Sequence, residues 1–411
     1  MLAVRRHRHQ ETAEVPSDVD VTERRAAELY IMAVGQLGSD KAQVRSGGLH
    51  ALERLAQDNP ALRQTIVNAI CGYLRIPFSA TAPEPAEGQK GPGTERATET
   101  DGIGGTWEQE RQVRLTAQRI LTEHLHDGRA RDQRSADSSN SRFWNNIHLD
   151  LTAATLIDFN LVDSVMAGAN FRRSAFSGDA TFSGAAFSGD AQFGGASFSR
   201  DASFSGANFG GDARFSGAAF SGDALFGGAA FSGDAQFGET RFSGDALFAE
   251  AAFSRSAGFR RAAFGGDAEF RRATFTGDAG FDKATFGRSA SFDGAAFTSD
   301  AWFGEATFTG DAGFGEASFT GDAWFDKVTF GRSASFGEAA FNGDAGFGRA
   351  ALSGRAWFSE ATFRGGADAL HFEQARILSP GASHVWPAGW RLVDADGSGY
   401  TIVRANDDGG S

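Results

Sequence analysis

The chain has a single cysteine, Cys71, so no internal disulfide can form and a reducing, cytoplasmic setting is the expectation. Proline and tyrosine are scarce, at 8 and 3, against 39 phenylalanines and 54 glycines among 411 residues. A bias that steep points to internal repetition. No stretch approaches 18 consecutive apolar residues. The nearest, "IVNAICGYLRIPF" at 66–78, is broken by Arg75 and Pro77, which excludes a membrane span there. The start, "MLAVRRHRHQE", is basic but has no apolar core behind it, so it does not read as a secretory signal. A net charge of −13 argues against general affinity for nucleic acid or anionic membranes.

Catalytic patterns are missing as well. There is no H-E-x-x-H, no cysteine pair and no G-x-S-x-G. "GIGG" at 102–105 lacks the strand and helix that a phosphate loop needs. His124 and His126 sit at the end of a predicted helix, and His7 and His9 in a polar start. All four read as solvated surface. No enzyme activity, metal or cofactor is expected.

The chain is too long for one ordinary core, and its parts are legible. Asp20 and Glu23 are spaced as a capping box before "RRAAELYIMAVGQL", with Leu29, Met32, Ala33 and Leu37 on one face. A second helix, about 41–57, aligns Val44, Leu49, Leu52, Leu55 and Ala56; Gly47 and Gly48 predict a close helix approach. A third has Asn59 as cap and Pro60 in its first turn, then Leu62, Ile66, Val67, Ile70 and Leu74. A fourth runs from about 107 to 125, with Thr106 and Gln109 as a capping box. Polar stretches, the first of them rich in Pro and Gly, set the fourth helix apart from the other three and from the repeats. The expected layout is a disordered start over 1–19, an α-helical module over 20–78 and a flexible linker over 79–105. A single helix within 106–126, a linker over 127–142, a repeat solenoid over 143–378, and a cap hairpin with tail over 379–411 complete it.

The repeats have their own metre. Apolar marks recur every five residues at Leu151, Leu156, Leu161, Met166, Phe171 and Phe176, then at alternating steps of six and five to Phe363. Phe187, Phe193, Phe198, Phe204, Phe209 and Phe215 belong to this series, and Leu352 is its one non-Phe mark after Phe176. The residue two before each mark is almost always Ala, with Ser174, Thr240 and Val328 among the exceptions. Residues i and i−2 of a strand point the same way, so Phe and Ala face inward together. Four such faces make a coil of 22 residues, which places each ring about 4.8 Å from the ring one coil earlier. Each buried ring contributes roughly 1.5–3 kcal/mol. Ordering five or six residues costs roughly 1–2 kcal/mol each, so hydrogen bonds between coils and the Ala layer must add to the rings. An 11-residue, two-sided coil is the alternative; the plain five-step run at 151–176 favours four faces.

The unit A-x-F-S-G, as in Ala185-Ala186-Phe187-Ser188-Gly189, resembles the pentapeptide-repeat family over about 150–378. The resemblance implies a right-handed quadrilateral β-solenoid of about ten coils, roughly 50 Å long. The helical stretch "AVGQLGSDKAQVRSGGLHALERLAQDNP" at 33–60 followed by a repeat rod is similar to an actinobacterial-type group of that family. Members of that group often carry preceding membrane helices, so a membrane-tethered form with a segment upstream of Met1 is the alternative to a cytoplasmic one.

Every second unit carries an extra residue, mostly Asp. Asp179, Asp201, Asp223 and Asp245 stack on one corner, and Asp190, Asp212 and Asp234 on the alternate one. Like charges that close repel, so each carboxylate is expected to accept backbone N–H bonds as in an Asx-turn. A cation ladder and a DNA-mimicking acidic surface are the other readings. The second follows from the resemblance, since some members of the family are acidic rods that bind DNA topoisomerases. Residues 151–377 hold 27 acids and 18 Lys or Arg, and clusters such as Arg260, Arg261, Arg271 and Arg272 break that surface. An open solenoid needs end plugs. Trp386 and Trp390 are expected to cover the last rings, before a hairpin of Leu392–Val393 and Tyr400–Val403 with its turn near Asp396-Gly397. "DADGSG" at 394–399 imitates an EF-hand start, but its twelfth position is Ala405. Phe143, Trp144, Ile147 and Leu149 are expected to close the first coil. The reading is a non-enzymatic scaffold with an unknown protein partner, direct nucleic-acid binding not being expected; an acidic topoisomerase-binding rod is the alternative.

Overall fold

The computed structural model describes residues 18–80, 100–128, 142–394 and 400–405. From His148 onward the chain winds into coils with four flat faces. Face I is an 11-stranded parallel sheet that begins at His148–Asp150, Gly168–Asn170 and Ala191–Gln192. Face II begins at Thr155–Ile157, face III at Ala180–Thr181 and face IV at Val165–Met166. One circuit visits I, II, III and IV in turn, and in the regular coils each strand pairs with the strand 22 residues on. Phe187 pairs with Phe209, and Phe209 with Phe231. The four-faced coil is therefore the architecture, and the two-sided alternative falls.

The rings form ladders in the interior. Phe187 and Phe209 stack with centroids 5.1 Å apart and planes 1° from parallel. Phe215 stacks on Phe193 at 4.7 Å and on Phe237 at 4.8 Å, and meets Phe204 and Phe226 edge-on at 5.2 and 5.4 Å. Such a ring has stacked partners above and below and edge partners beside it, worth about 0.5–1.5 kcal/mol per pair beyond burial alone. The backbone adds a continuous ladder, such as Phe215 N–H to Gln236 O at 2.7 Å. Two polar exceptions in the Ala layer are satisfied, Ser174 Oγ donating to Leu151 O at 2.6 Å and Thr240 Oγ1 to Phe215 O at 2.9 Å, while the buried hydroxyl of Ser164 has no hydrogen-bond partner.

Helices α1 (Asp18–Leu37), α2 (Ala42–Asp58), α3 (Arg63–Leu74) and α4 (Thr100–Leu125) precede the coils. Several details differ from the sequence reading. Helix α1 starts at Asp18, two residues before the predicted cap, and buries Ala26 and Ala33 while Leu29 and Met32 stand 45% and 58% exposed. Val44 is exposed too. The cause is the crossing with α2: a Cβ on Gly48 would lie 2.8 Å from Ala33 O, so the small residues face each other and the bulky ones turn out. Gly47 has nothing near it and takes no part. Asn59 does not cap α3, which a 3₁₀ turn at Pro60–Leu62 precedes; its Nδ2 donates back to Leu55 O at 3.0 Å and closes α2. Helix α4 begins six residues before Thr106 and absorbs "GIGG".

The helices pack against the rod. They plug its first coil, whose strand edges would otherwise be unpaired. Gln64 Nε2 donates to His148 O at 2.8 Å while its Oε1 accepts the His148 N–H at 2.9 Å, which completes the face I edge. Gln118 does the same to Ile157 on face II, at 2.7 and 2.9 Å. Thr122 Oγ1 donates to Asn160 O at the start of face III, and an isolated antiparallel bridge joins His126 to Ser164 ahead of face IV. Two glutamine amides thus stand in for a missing strand. Arg75 pairs with Asp150, and Phe143, Trp144, Ile147 and Leu149 are buried beneath α2–α4.

At the other end a 3₁₀ turn, Gly366–Ala369, lengthens one corner before Phe372 and Ile377 resume the core. Trp386 lies 6.3 Å from Phe358 and Phe372, and Trp390 meets Phe372 edge-on at 5.2 Å. The hairpin of Trp390–Asp394 and Tyr400–Arg404 joins face II antiparallel through Ile377 and Tyr400. Its predicted turn, with most of "DADGSG", lies outside the described residues, as do His7 and His9. Among the described residues no helix is long and apolar enough to cross a membrane.

Candidate binding face

The aspartate corners come first, because they set the rod's charge. Asp190 Oδ1 accepts the backbone N–H of Asp212 at 3.1 Å, and Asp212 Oδ1 that of Asp234 at 3.1 Å. On the other corner Asp201 serves Asp223 and Asp223 serves Asp245, at 3.0 and 2.9 Å. Asp245 continues the series to Asp267 at 2.8 Å. The expected acceptor role is present, but not as an Asx-turn: the donor sits one coil later, 22 residues on, rather than in the same turn. At the first coil Asp179 instead pairs with Arg200 at 3.2 Å. The glycine before most of these aspartates has a packing reason. A Cβ on Gly233 would lie 2.4 Å from Gly211 O.

Between the aspartate corners lie two tip corners, I–II and III–IV, diagonally opposed. Their second residue takes a positive φ, as in Arg261 at 57° and Glu338 at 58°. The two differ in charge. The III–IV tips carry Asp163, Glu250, Asp293, Glu316, Glu338 and Glu360 against Arg271 and Arg272. The I–II tips carry Arg172, Arg173, Arg260, Arg261, Lys283, Lys327 and Arg349 against Glu239, Asp282, Glu305, Asp326 and Glu373. Four concavities of about 510, 350, 320 and 390 Å³ succeed one another along this I–II edge. Neighbours share Ser216, then Arg260, then Asp326 and Lys327 as walls, so they line up as a segmented trough from Arg172 to Gln374.

Face I, which borders the trough, has a varied outward column. Its column reads Asn170, Gln192, Arg214, Gln236, Gly258, Gly280, Trp302, Trp324, Gly346 and His371. Face IV, by contrast, shows Ala186, Asn208, Ala230, Ala252, Thr274 and Ala296 at the equivalent positions. Arg214 is tied to Asp190 at 3.1 Å and Asp212 at 2.7 Å. Lys283 and Lys327 flank Glu305 at 3.4 and 3.5 Å, and the Lys283 hydrogen bond holds that carboxyl below its usual range. Burial holds Asp282 above it. Among the described residues the guanidinium groups of Arg172 and Arg173 and the amides of Gln192 and Gln236 have no hydrogen-bond or ion-pair partner. The space over Gly258 is open: an added Cβ would meet nothing within 4 Å.

A separate cleft of about 970 Å³ lies where α2 and α4 meet the first coil. Here the sequence reading of His124 as solvated surface fails. The ring is buried, stacked on Trp144 at 3.9 Å, with Nδ1 2.6 Å from Arg142 O and Nε2 3.0 Å from Glu53 Oε1. Glu53 also meets His50 at 3.3 Å. Burial pushes the Glu53 carboxyl up, but the hydrogen bonds from His124 and His50 outweigh it and hold it low. This network joins three elements and is occupied by its own contacts. Among the described residues no three metal-ligating side chains cluster.

Nine matches to a profile for pentapeptide repeats tile residues 151–369 without a gap, 219 of the 411 residues. The chain belongs to the pentapeptide-repeat family. Comparison with curated proteins and with solved structures returned no match. As a pentapeptide-repeat protein it is a repeat scaffold, a fold class typically without catalysis. The sequence reading missed face I because it treated every solvent-facing position as interchangeable. The signal was present in the middle residue of A-x-F, once the chain is aligned at a period of 22.

Proposed function

We propose that the protein is a non-enzymatic binding rod whose partner engages face I and the I–II trough. One observation carries this: amides, arginine, open glycines and tryptophans gather in one column, beside a row of adjoining concavities, while face IV presents mostly Ala, Ser and Thr. Repetition alone produces uniform faces, and departure from it needs a reason outside the core; face III departs too, with Leu225, Leu247, Glu269 and Trp357, but its column has no amide side chain and no open glycine. The plugged helical end and the hairpin end keep the strand edges closed, which leaves the flank of the rod for binding. The acidic topoisomerase-binding alternative draws on the III–IV tips and the aspartate corners. It is the weaker reading, because ten of those carboxylates, among them Asp190, Asp201, Asp245 and Asp293, already hold a backbone N–H through one oxygen.

Photo-crosslinking amino acids in place of Gln236 on face I and Ala252 on face IV test the proposal in cells. Reproducible capture of one protein from position 236 and not from 252 supports it. Equal capture from both, or capture from 252 alone, removes it.

A further inference from the structure

We infer that the trough holds an extended acidic segment of a partner protein, with its carboxylates at two separated points; this rests on the reading of face I as the binding face. The two points are arginine pairs, Arg172 with Arg173 and Arg260 with Arg261, the last also 3.6 Å from the exposed Glu239 carboxylate. They stand four coils apart on the same corner, about 19 Å. Between them the tips are Gly194-Gly195, Ser216-Gly217 and Gly238-Glu239, so little side chain rises from the floor.

Three features select a peptide over another anion. First, the trough also holds Glu239, Asp282 and Glu305, which repel a polymer with charge on every unit but leave room for charges placed at intervals. Second, this chain already shows how a glutamine amide recognises extended backbone: Gln64 and Gln118 each give one N–H and take one N–H from a single residue. Gln192 and Gln236 offer the same group outward with no partner among the described residues. They are two coils apart, about 9.6 Å, close to the roughly 9.3 Å turn of a polyproline II segment, whose backbone carbonyls are all unpaired. Third, Gly258 and Gly280 occupy strand positions where glycine weakens the sheet, and no packing at Gly258 demands it. Glycine in such a place marks close approach of another backbone. Trp302 and Trp324, next in the column and half-buried, then offer a flat apolar surface to the segment beyond its second acidic point.

The test uses the full chain and a fluorescein-labelled nonapeptide, Asp-Glu-Ala-Pro-Ala-Pro-Ala-Asp-Glu, whose inner carboxylates lie six residues apart, about 20 Å when extended. Anisotropy is read against a peptide of equal charge with all four acids contiguous, and against single-stranded oligo-dT. The split peptide is expected to bind about tenfold or more tightly than either, and R173E/R261E to remove that binding by a similar factor. The double variant will fold, since Glu239 and Glu305 occupy the same corner position. Gly258→Leu fills open space as Leu225 and Leu247 do on face III, and is expected to block binding while leaving thermal stability intact. R272E on the opposite corner is expected to change nothing. Equal binding of contiguous peptide or oligo-dT overturns the inference in favour of a general anion site. No binding by any probe, or binding indifferent to R173E/R261E, overturns it outright. If crosslinking from position 236 succeeds while the peptide fails, face I stands as the binding face and only the peptide assignment falls.

Discussion

Replacing Gln118 by leucine tests how the rod is closed. Its amide is buried, donates to Ile157 O at 2.7 Å and accepts the Ile157 N–H at 2.9 Å. Leucine has similar bulk but neither group, and Ile157 is itself only 4% exposed. Two backbone groups then lose their partners in a place water does not reach. Each orphan costs about 1–3 kcal/mol, so the pair costs about 2–6 kcal/mol. The loss is local at first, because a solenoid opens from its ends. Amide exchange at Ile157 and its first-coil neighbours should accelerate by about 30-fold to 10⁴-fold, while the amide of Phe259, mid-rod, keeps its wild-type rate. Gln112→Leu is the control, since the Gln112 side chain bonds only Glu108, in a contact exposed to solvent; it should fall within about 0.5 kcal/mol of wild type. Were Q118L to match Q112L in both exchange and denaturation midpoint, the glutamine would not be acting as a surrogate strand, and the account of the helical plug would be wrong.

Other consequences stem from single contacts. Gly233→Ala should destabilise the rod by about 1–3 kcal/mol in urea unfolding, because its Cβ lands 2.4 Å from Gly211 O; Gly258→Ala, in open space, should cost nothing measurable. Glu338→Gly should raise the melting temperature by relieving about 1 kcal/mol of left-handed strain at φ 58°; an unchanged or lower value would mean that the stacked coils hold that conformation without strain. Glu53 and Asp150 both have carboxyls held below their ordinary range. Burial opposes this in both; His124 and His50 outweigh it at Glu53, and Thr152 and Arg75 at Asp150. A folded-state value below the unfolded one gives stability that is full above about pH 4 and lost as pH falls through the folded value. Exchange in α2–α4 should therefore rise below about pH 4 before the mid-rod amides respond; simultaneous loss would contradict it.

Most of the rod could be read from the chain because its register is over-determined. Phe every five or six residues with Ala two before it admits one inward face, and a one-residue slip would expose every ring. The aspartates were legible as acceptors but not as links between coils, since only stacking puts Asp212 N–H beside Asp190. The helices were read less well. Amphipathic spacing placed Leu29 and Met32 inward, yet the close crossing of Ala33 on Gly48 rewards small residues and turns the large ones outward. Nothing in the local sequence marked Gln64 or Gln118, whose role depends on a strand edge 84 or 39 residues away. His124 was misread for the same reason: its partners, Glu53 and Trp144, come from other elements. Face I was missed because its chemistry is spread one residue per coil.

Nitroxide spin labels read out whether the tube closes every 22 residues. Ala230 and Ala252 are register partners on face IV, whereas Arg241 lies on the opposite face II. The native Cys71 is buried, with its thiol pushed up to about 12, so it does not compete for label in the folded chain. Labels at 230 and 252 should show strong spin exchange at about 4.8 Å, and labels at 230 and 241 none. Exchange for the 230–241 pair without it for 230–252 would show an 11-residue circuit and contradict the four-faced rod.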